Sequence, residues 1–253
     1  MGGINYMKKM MKLLMVVVLG LSMLACGGKE EDKTIVVGTA PNFVPFEYMD
    51  GDKIVGFDME LLDEISKESG LKFKVVGMDF SGLLPALQTK KIDMIMSGMS
   101  VTEDRKKNVD FSTAYFTVEQ VVMLNEKADE ITGEEEFTGK KIGVVMGTTS
   151  DVLAEEMAKK YEGVEVVKYN KIHEAVLALK EHKLDMIFLD DQQGKKTVEN
   201  NDGVKLSSYI LDSEDYAIAI NKGEEETLNK INTALEKILK SEKYNELMKQ
   251  YID

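Results

Sequence analysis

The sequence predicts an α/β protein of two lobes, each a parallel or mixed sheet flanked by helices. Three observations predict it. From residue 34 onward, short apolar strands alternate with amphipathic helices, the pattern of a sheet with helical connections. This strand–helix grammar runs twice, once over 34–98 and again over 140–190. The two runs also share letters: "ALQTKKIDMIMSG" (86–98) and "ALKEHKLDMIFLD" (178–190) keep Ala, Leu, Lys, Asp, Met and Ile at an offset of 92.

The chain opens on a separate object. Lys8, Lys9 and Lys12 precede "LLMVVVLGLSML", an apolar run too short to span a bilayer and the right length for a secretory leader. The expected signal peptide is 1–25 and a tether follows over 26–33. Cys26 is the only cysteine, so no intramolecular disulfide is possible. Ala25-Cys26 resembles the lipobox of bacterial lipoproteins, which implies lipidation of Cys26 and anchoring outside the cytoplasm, in a periplasm or on a cell surface.

The elements follow in order. "TIVVGTA" (34–40) reads as a buried strand and "DGDKIVGF" (50–57) as a turn with a short extended piece. "FDMELLDEISKESG" has apolar residues at 57, 61, 62 and 65 and a stop at Gly70, so it reads as a helix. "LKFKVVGM" (71–78) is a strand, "GLLPALQT" (82–89) a helix and "KIDMIMSG" (91–98) a strand. The second run repeats this. "KKIGVVMG" (140–147) is a strand, "SDVLAEEMAKKY" (150–161) a helix and "VEVVKY" (164–169) a strand; "IHEAVLALKEH" (172–182), a helix, leads into the strand "KLDMIFLD" (183–190). Two helices close the chain, one carrying Leu228, Ile231, Leu235, Ile238 and Leu239, the other Tyr244, Leu247, Met248 and Tyr251.

At 253 residues and 43% hydrophobic content the chain can fill two small cores. With 32 basic against 45 acidic residues, its net charge of −13 argues against nucleic acid or an anionic membrane surface as partner. Loss of the leader removes three lysines and makes the balance more acidic still.

The repeat locates a site. In open parallel sheets ligands lie beyond the carboxyl ends of the strands. The matched strands end at Ser97-Gly98 and at Leu189-Asp190, and Arg105 follows the first end. Arg105 is the only arginine among the 32 Lys and Arg residues. Its planar fork suits a carboxylate, which a lysine point charge cannot grip bidentately. Asp190 would accept from an ammonium. Gly98 and Ser100 allow close backbone approach and offer donors, and "GTTS" (147–150) opens a helix whose N–H groups and hydroxyls suit the same carboxylate. Each feature has a plainer reading. Arg105 beside Glu103 and Asp104 would be a surface ion pair, and Asp190, Asp191 and "GTTS" would be helix caps.

"PNFVPFEYMDGDKIVGFDMELLDEI" (41–65), "MDFSGLLPALQTKKIDMIMSGMSVTEDRKKNVDFS" (78–112) and "GKKIGVVMGTTS" (139–150) resemble the polar amino-acid solute-binding proteins of ABC importers, the family of the histidine- and glutamine-binding proteins. The resemblance implies a periplasmic-binding-protein fold. Its first lobe would be 34–114 with 217–253 and its second 119–212, hinged near 115–119 and 212–216. It implies that Phe43 and Phe80 sandwich the ligand side chain. Gly98, Ser100 and Arg105, helped by Thr148 or Thr149, would hold the α-carboxylate, and Asp190 the α-ammonium. It implies a free amino acid and ABC permease subunits as partners, and neither cofactor nor metal; the acidic chain with no obvious apolar face is expected to be a monomer.

Ala40, Val145 and Leu189 stand where the glutamine-binding branch has Asp, Lys and His. That departure implies a small or apolar neutral amino acid, unless Met99, Met146, Asp191 or Gln192 restores polarity. Chirality is open. The alternative is an extracytoplasmic dehydratase of the same fold acting on a prephenate-like acid, which needs a general acid or base. Glu47 is its best candidate. His173 and His182, the only histidines, fall in a helix with Lys and Glu neighbours and read as solvent-facing. A structural lipoprotein with a vestigial cleft is a third reading, and the intact Arg105/Asp190 pair argues against it. The expectation is a binding protein, not an enzyme.

Overall fold

Two five-stranded sheets organise residues 34–253, which are those the computed structural model describes. The leader, the Cys26 lipidation site and the tether lie outside the described residues. In chain order the elements are β1 (Thr34–Thr39), β2 (Asn42–Phe43), β3 (Glu47–Asp50), β4 (Lys53–Val55), α1 (Phe57–Ser69), β5 (Lys72–Gly77), α2 (Phe80–Gln88) and β6 (Met94–Ile95). There follow α3 (Glu103–Lys106), β7 (Val109–Phe111), β8 (Phe116–Asn125), a 3-10 turn (Glu134–Phe137), β9 (Lys141–Val145), α4 (Thr149–Lys160) and β10 (Glu165–Tyr169). The chain continues through α5 (Ile172–Lys180), β11 (Met186–Asp190), α6 (Asp191–Glu199), β12 (Val204–Tyr216), β13 (Ala219–Asn221), α7 (Glu225–Ile238) and α8 (Glu242–Tyr251).

The first sheet has the order β5-β1-β6-β13-β7 and the second β10-β9-β11-β8-β12. In each, the three strands of the sequence repeat lie together and parallel. The remainder is antiparallel: β13 against β6 and β7, β8 against β11 and β12. The sheets are therefore mixed. β8 and β12 also form a long ribbon that pairs Thr117 with Asp215, Val118 with Glu214 and Phe116 with Tyr216, where the chain passes between the sheets.

Helices cover both faces of each sheet. Phe46, Phe57, Leu61, Ile65, Ile231 and Leu235 fill one face of the first sheet under α1 and α7; Leu83, Leu87 and Ile92 fill the other under α2. Burying a side chain such as Phe57 contributes about 1.5–3 kcal/mol. α1 begins at Gly56, whose φ of 127° suits glycine and whose added Cβ would fall 2.3 Å from the Phe46 carbonyl oxygen. It ends at Gly70, a left-handed cap whose N–H returns to Ser66.

The repeat is physical as well as alphabetic. Asp93 and Asp185, 92 residues apart, each accept a hydrogen bond at 2.8 Å from a backbone N–H of the neighbouring strand, Val36 in one sheet and Lys141 in the other. Ile92 and Leu184 each press on a strand glycine: an added Cβ would fall 2.4 Å from Ile92 at Gly38 and 2.5 Å from Leu184 at Gly143. Lys90 and His182 both take left-handed backbone, at φ 58° and 56°. His182 thus follows α5 in a turn rather than belonging to the helix, and both histidines are solvent-exposed.

Candidate functional site

The strand ends meet in one cavity between the sheets. Phe43, Phe80, Gly98, Ser100 and Arg105 line it from the first sheet's side, and Thr148, Thr149 and Asp190 from the second's. All eight candidates share this cavity. The two sides touch beside it, where a Cβ on Gly147, after β9, would lie 3.2 Å from Ser81 Cα in α2.

Arg105 sits on the single turn α3, capped by Thr102, whose hydroxyl accepts from the Arg105 N–H at 3.2 Å. Only 9% of the residue is exposed. Its Nη1 donates to the Ser100 carbonyl at 2.6 Å and its Nη2 to the Gly147 carbonyl at 3.1 Å, and the guanidinium carbon lies 5.7 Å from the Phe80 ring centre. Burial works against its charge, whereas Glu214, Asp190 and Tyr216 favour it. Glu103 and Asp104 pair with Lys106 and Lys107 instead, so Arg105 is not a surface ion pair.

Asp190 ends β11 at the N-terminus of α6, yet its carboxylate makes no capping bond there. It accepts from Gln120 Nε2. Gln120 is itself fixed: its Oε1 accepts from Ser150 Oγ at 2.5 Å, and its Nε2 reaches Glu214 at 3.3 Å. Burial, then the nearby Glu214 charge, pushes Asp190 up to about 7, against the opposing pull of Tyr216 and Gln120. A buried carboxyl that makes no ion pair among the described residues and has an anion close by is completed by an incoming ammonium.

The α4 N-terminus contributes differently from what the hydroxyls suggest. Thr148 Oγ1 caps the helix, accepting from the Asp151 N–H at 3.2 Å and donating to the Val145 carbonyl at 2.8 Å. Thr149 Oγ1 donates to Glu214 at 2.7 Å. Both hydroxyls are engaged and the Asp151 N–H is taken by Thr148, so the Thr149 and Ser150 N–H groups are what the helix offers an anion.

Phe43 stacks on Phe46 with ring centres 5.3 Å apart. Gly98 lies beneath it at φ 49°, and a Cβ there would fall 2.5 Å from the Phe43 ring. Glycine is required at that point on both counts.

The apolar wall expected from Ala40, Val145 and Leu189 is present, but it is only part of the lining. Asn42 and Gln193 bring two amides into the same cavity. Neither was singled out in the sequence, although Asn42 adjoins Phe43 and Gln193 lies one helical turn beyond Asp190. Met99 is instead buried in the core, Met146 is exposed, and Asp191 accepts from Gln192 and Lys195. Gln120 and Glu214 carried no local signal, because they meet only through the β8–β12 ribbon.

Residues 35–253 match the model of the bacterial extracellular solute-binding proteins, family 3. A probable histidine-binding protein of Campylobacter jejuni is 33% identical over 97% of this chain and 99% of its own length. The arginine-binding extracellular protein ArtP of Bacillus subtilis is 32% identical over 97% and 98%. Among solved structures, an ancestral arginine-binding protein bound to arginine superposes with a TM-score of 0.82 at 39% identity, covering 87% of this chain and 98% of that one.

Proposed function

The chain belongs to the bacterial extracellular solute-binding proteins, family 3, and from that premise we propose that it captures a free polar amino acid outside the cytoplasm and delivers it to the permease subunits of an ABC importer. It is a binding protein, not an enzyme, as its relatives are. The observation that carries the reading is the cavity with Arg105 on one wall and Asp190 on the other. Arg105, Ser100 and the Thr149 and Ser150 N–H groups of α4 take the α-carboxylate, while Gly98, whose own N–H is held by Asp58, gives the ligand close backbone approach. Asp190, oriented by Gln120, takes the α-ammonium. Each charged contact in a closed cleft contributes roughly 1.5–3 kcal/mol.

The ligand class departs from the small or apolar neutral amino acid implied by Ala40, Val145 and Leu189. Asn42 and Gln193 would leave amides unpaired against an apolar side chain, and the relatives carry names for histidine and arginine. A planar, nitrogen-bearing side chain between Phe43 and Phe80 satisfies both the rings and the amides. Arginine and histidine are the first choices. Glutamine is the second, because Asp190 is the only acidic residue among the lining residues. Lobes 34–114 with 217–253 and 119–212 would close by flexing the β8–β12 ribbon, and a lipid at Cys26 would keep the receptor at the membrane.

Calorimetric titration of the chain from about residue 29 with all L- and D-amino acids tests this. Arginine, histidine or glutamine should bind, and Arg105→Lys should weaken that binding at least about tenfold although the charge is kept. Binding of leucine or alanine in preference to these three would restore the apolar reading, and silence throughout would refute the receptor.

A further inference from the structure

Two carboxyl groups lie directly behind the cleft and take no part in its grips. Glu47 on β3 and Asp58 on α1 are both fully buried. Each has one oxygen committed: Glu47 Oε1 accepts from Ser97 Oγ at 2.5 Å, and Asp58 Oδ2 accepts from the Gly98 N–H at 3.0 Å and from the Tyr115 hydroxyl at 2.9 Å. Ser97 Oγ in turn accepts from the Ala40 N–H at 2.9 Å. The other two oxygens, Glu47 Oε2 and Asp58 Oδ1, have no donor among the described residues. Two buried carboxylates cannot both stay ionised at close range without a cation, and a single proton between their spare oxygens resolves both deficits.

We propose that Glu47 is a neutral carboxylic acid that donates its proton from Oε2 to Asp58 Oδ1, and that this bond makes Glu47 and Asp58 positioning residues for the 97–100 segment that carries Gly98 and Ser100 into the cleft. The direction of donation follows from the surroundings. Burial, then the Asp58 charge, raises Glu47 well above the ordinary carboxyl range. Burial raises Asp58 only to about 6, because the Gly98 N–H, the Tyr115 hydroxyl and Glu47 all stabilise its charge. The groups facing the pair from neighbouring elements are Ser97 and Gly98 after β6, Tyr115 before β8, Tyr216 at the end of β12 and Asp190 across the cleft. All are neutral or acidic; the Ser97 hydroxyl alone pulls Glu47 toward its charged form, and burial with the Asp58 charge outweighs it.

The proton has a pH consequence. Glu47 binds it more tightly in the folded protein than in the unfolded chain. The stability this brings is complete below the unfolded carboxyl value of about 4.3 and is lost as pH rises through the raised folded value. Glutamine at this position keeps an N–H donor toward Asp58 and cannot titrate.

Infrared difference spectroscopy of the protein against Glu47→Gln at about pH 8, above the Asp190 titration near 7, tests the assignment. A protonated-carboxyl C=O band present in the wild type and missing in the variant is the expected result. In parallel, wild-type thermal stability should fall as pH rises from about 4.3 toward the raised folded value of Glu47 while E47Q changes less, and above about pH 7, where Asp190 is already ionised, arginine affinity should fall more steeply with rising pH in the wild type. Asp58→Asn, which turns the donor round, should also lose the band and serves where E47Q fails to fold. No band in the wild type, or a band that survives E47Q, overturns the proposal. The affinity arm rests on the ligand reading above; the spectrum needs no ligand, so failure to bind arginine counts against that reading alone.

Discussion

Arg105 and Asp190 are each held by groups that sequence inspection finds unevenly. Arg105 is braced by backbone carbonyls, one of them across the cleft at Gly147. Asp190 is braced by an amide on the ribbon. Because burial pushes Asp190 up to about 7, an α-ammonium that needs its ionised form must displace a proton in mildly acidic solution. Affinity for an amino acid should therefore fall below pH 7, by up to about tenfold per pH unit, and Asp190→Asn should bind weakly with a flatter profile. Calorimetry between about pH 5.5 and 8 checks this, and a wild-type profile that stays level would remove Asp190 from the ammonium site. Of the eight cavity-lining candidates, Gly98, Ser100, Arg105, Thr148, Thr149 and Asp190 were legible because they sit at strand ends and in short motifs whose chemistry is explicit, whereas Phe43 and Phe80 were implied by the family resemblance alone. Gln120, Glu214, Asn42 and Gln193 were not legible, since an amide or carboxylate gains its role only from a neighbour distant in the chain.

At the level of elements, the repeated unit of helix, turn, Asp93 or Asp185, and strand explains why the two lobes read alike. In each copy the Asp locks the strand to its neighbour by a backbone hydrogen bond, and the preceding turn is forced left-handed at Lys90 or His182. L-residues with side chains are strained in that conformation. Lys90→Gly and His182→Gly should each stabilise the fold, by about 0.5–1 kcal/mol after the flexibility of glycine in the unfolded chain is counted. Denaturant titration measures it, and destabilisation by either would mean that the side chain makes a compensating contact. The parallel half of each sheet was readable from local periodicity. The antiparallel half was not. β7 pairs with β13, and β8 with β12, across long separations, and the short apolar stretches involved do not announce a partner.

Across the whole molecule the two grips belong to different sheets, linked by a ribbon of two strands. The net charge of −13 favours the approach of cations over anions, but attraction of that kind does not separate an amino acid from any other amine. On the proposed reading, discrimination comes from geometry: only a molecule carrying both a carboxylate and an ammonium on one carbon would satisfy both walls at once. Calorimetry with L-arginine, its decarboxylated amine and its des-amino acid isolates the two contributions most directly. Each truncated analogue should bind roughly 10–150-fold more weakly than arginine, the equivalent of one lost charged contact. An analogue lacking either group that bound as tightly as arginine itself would contradict the two-grip account.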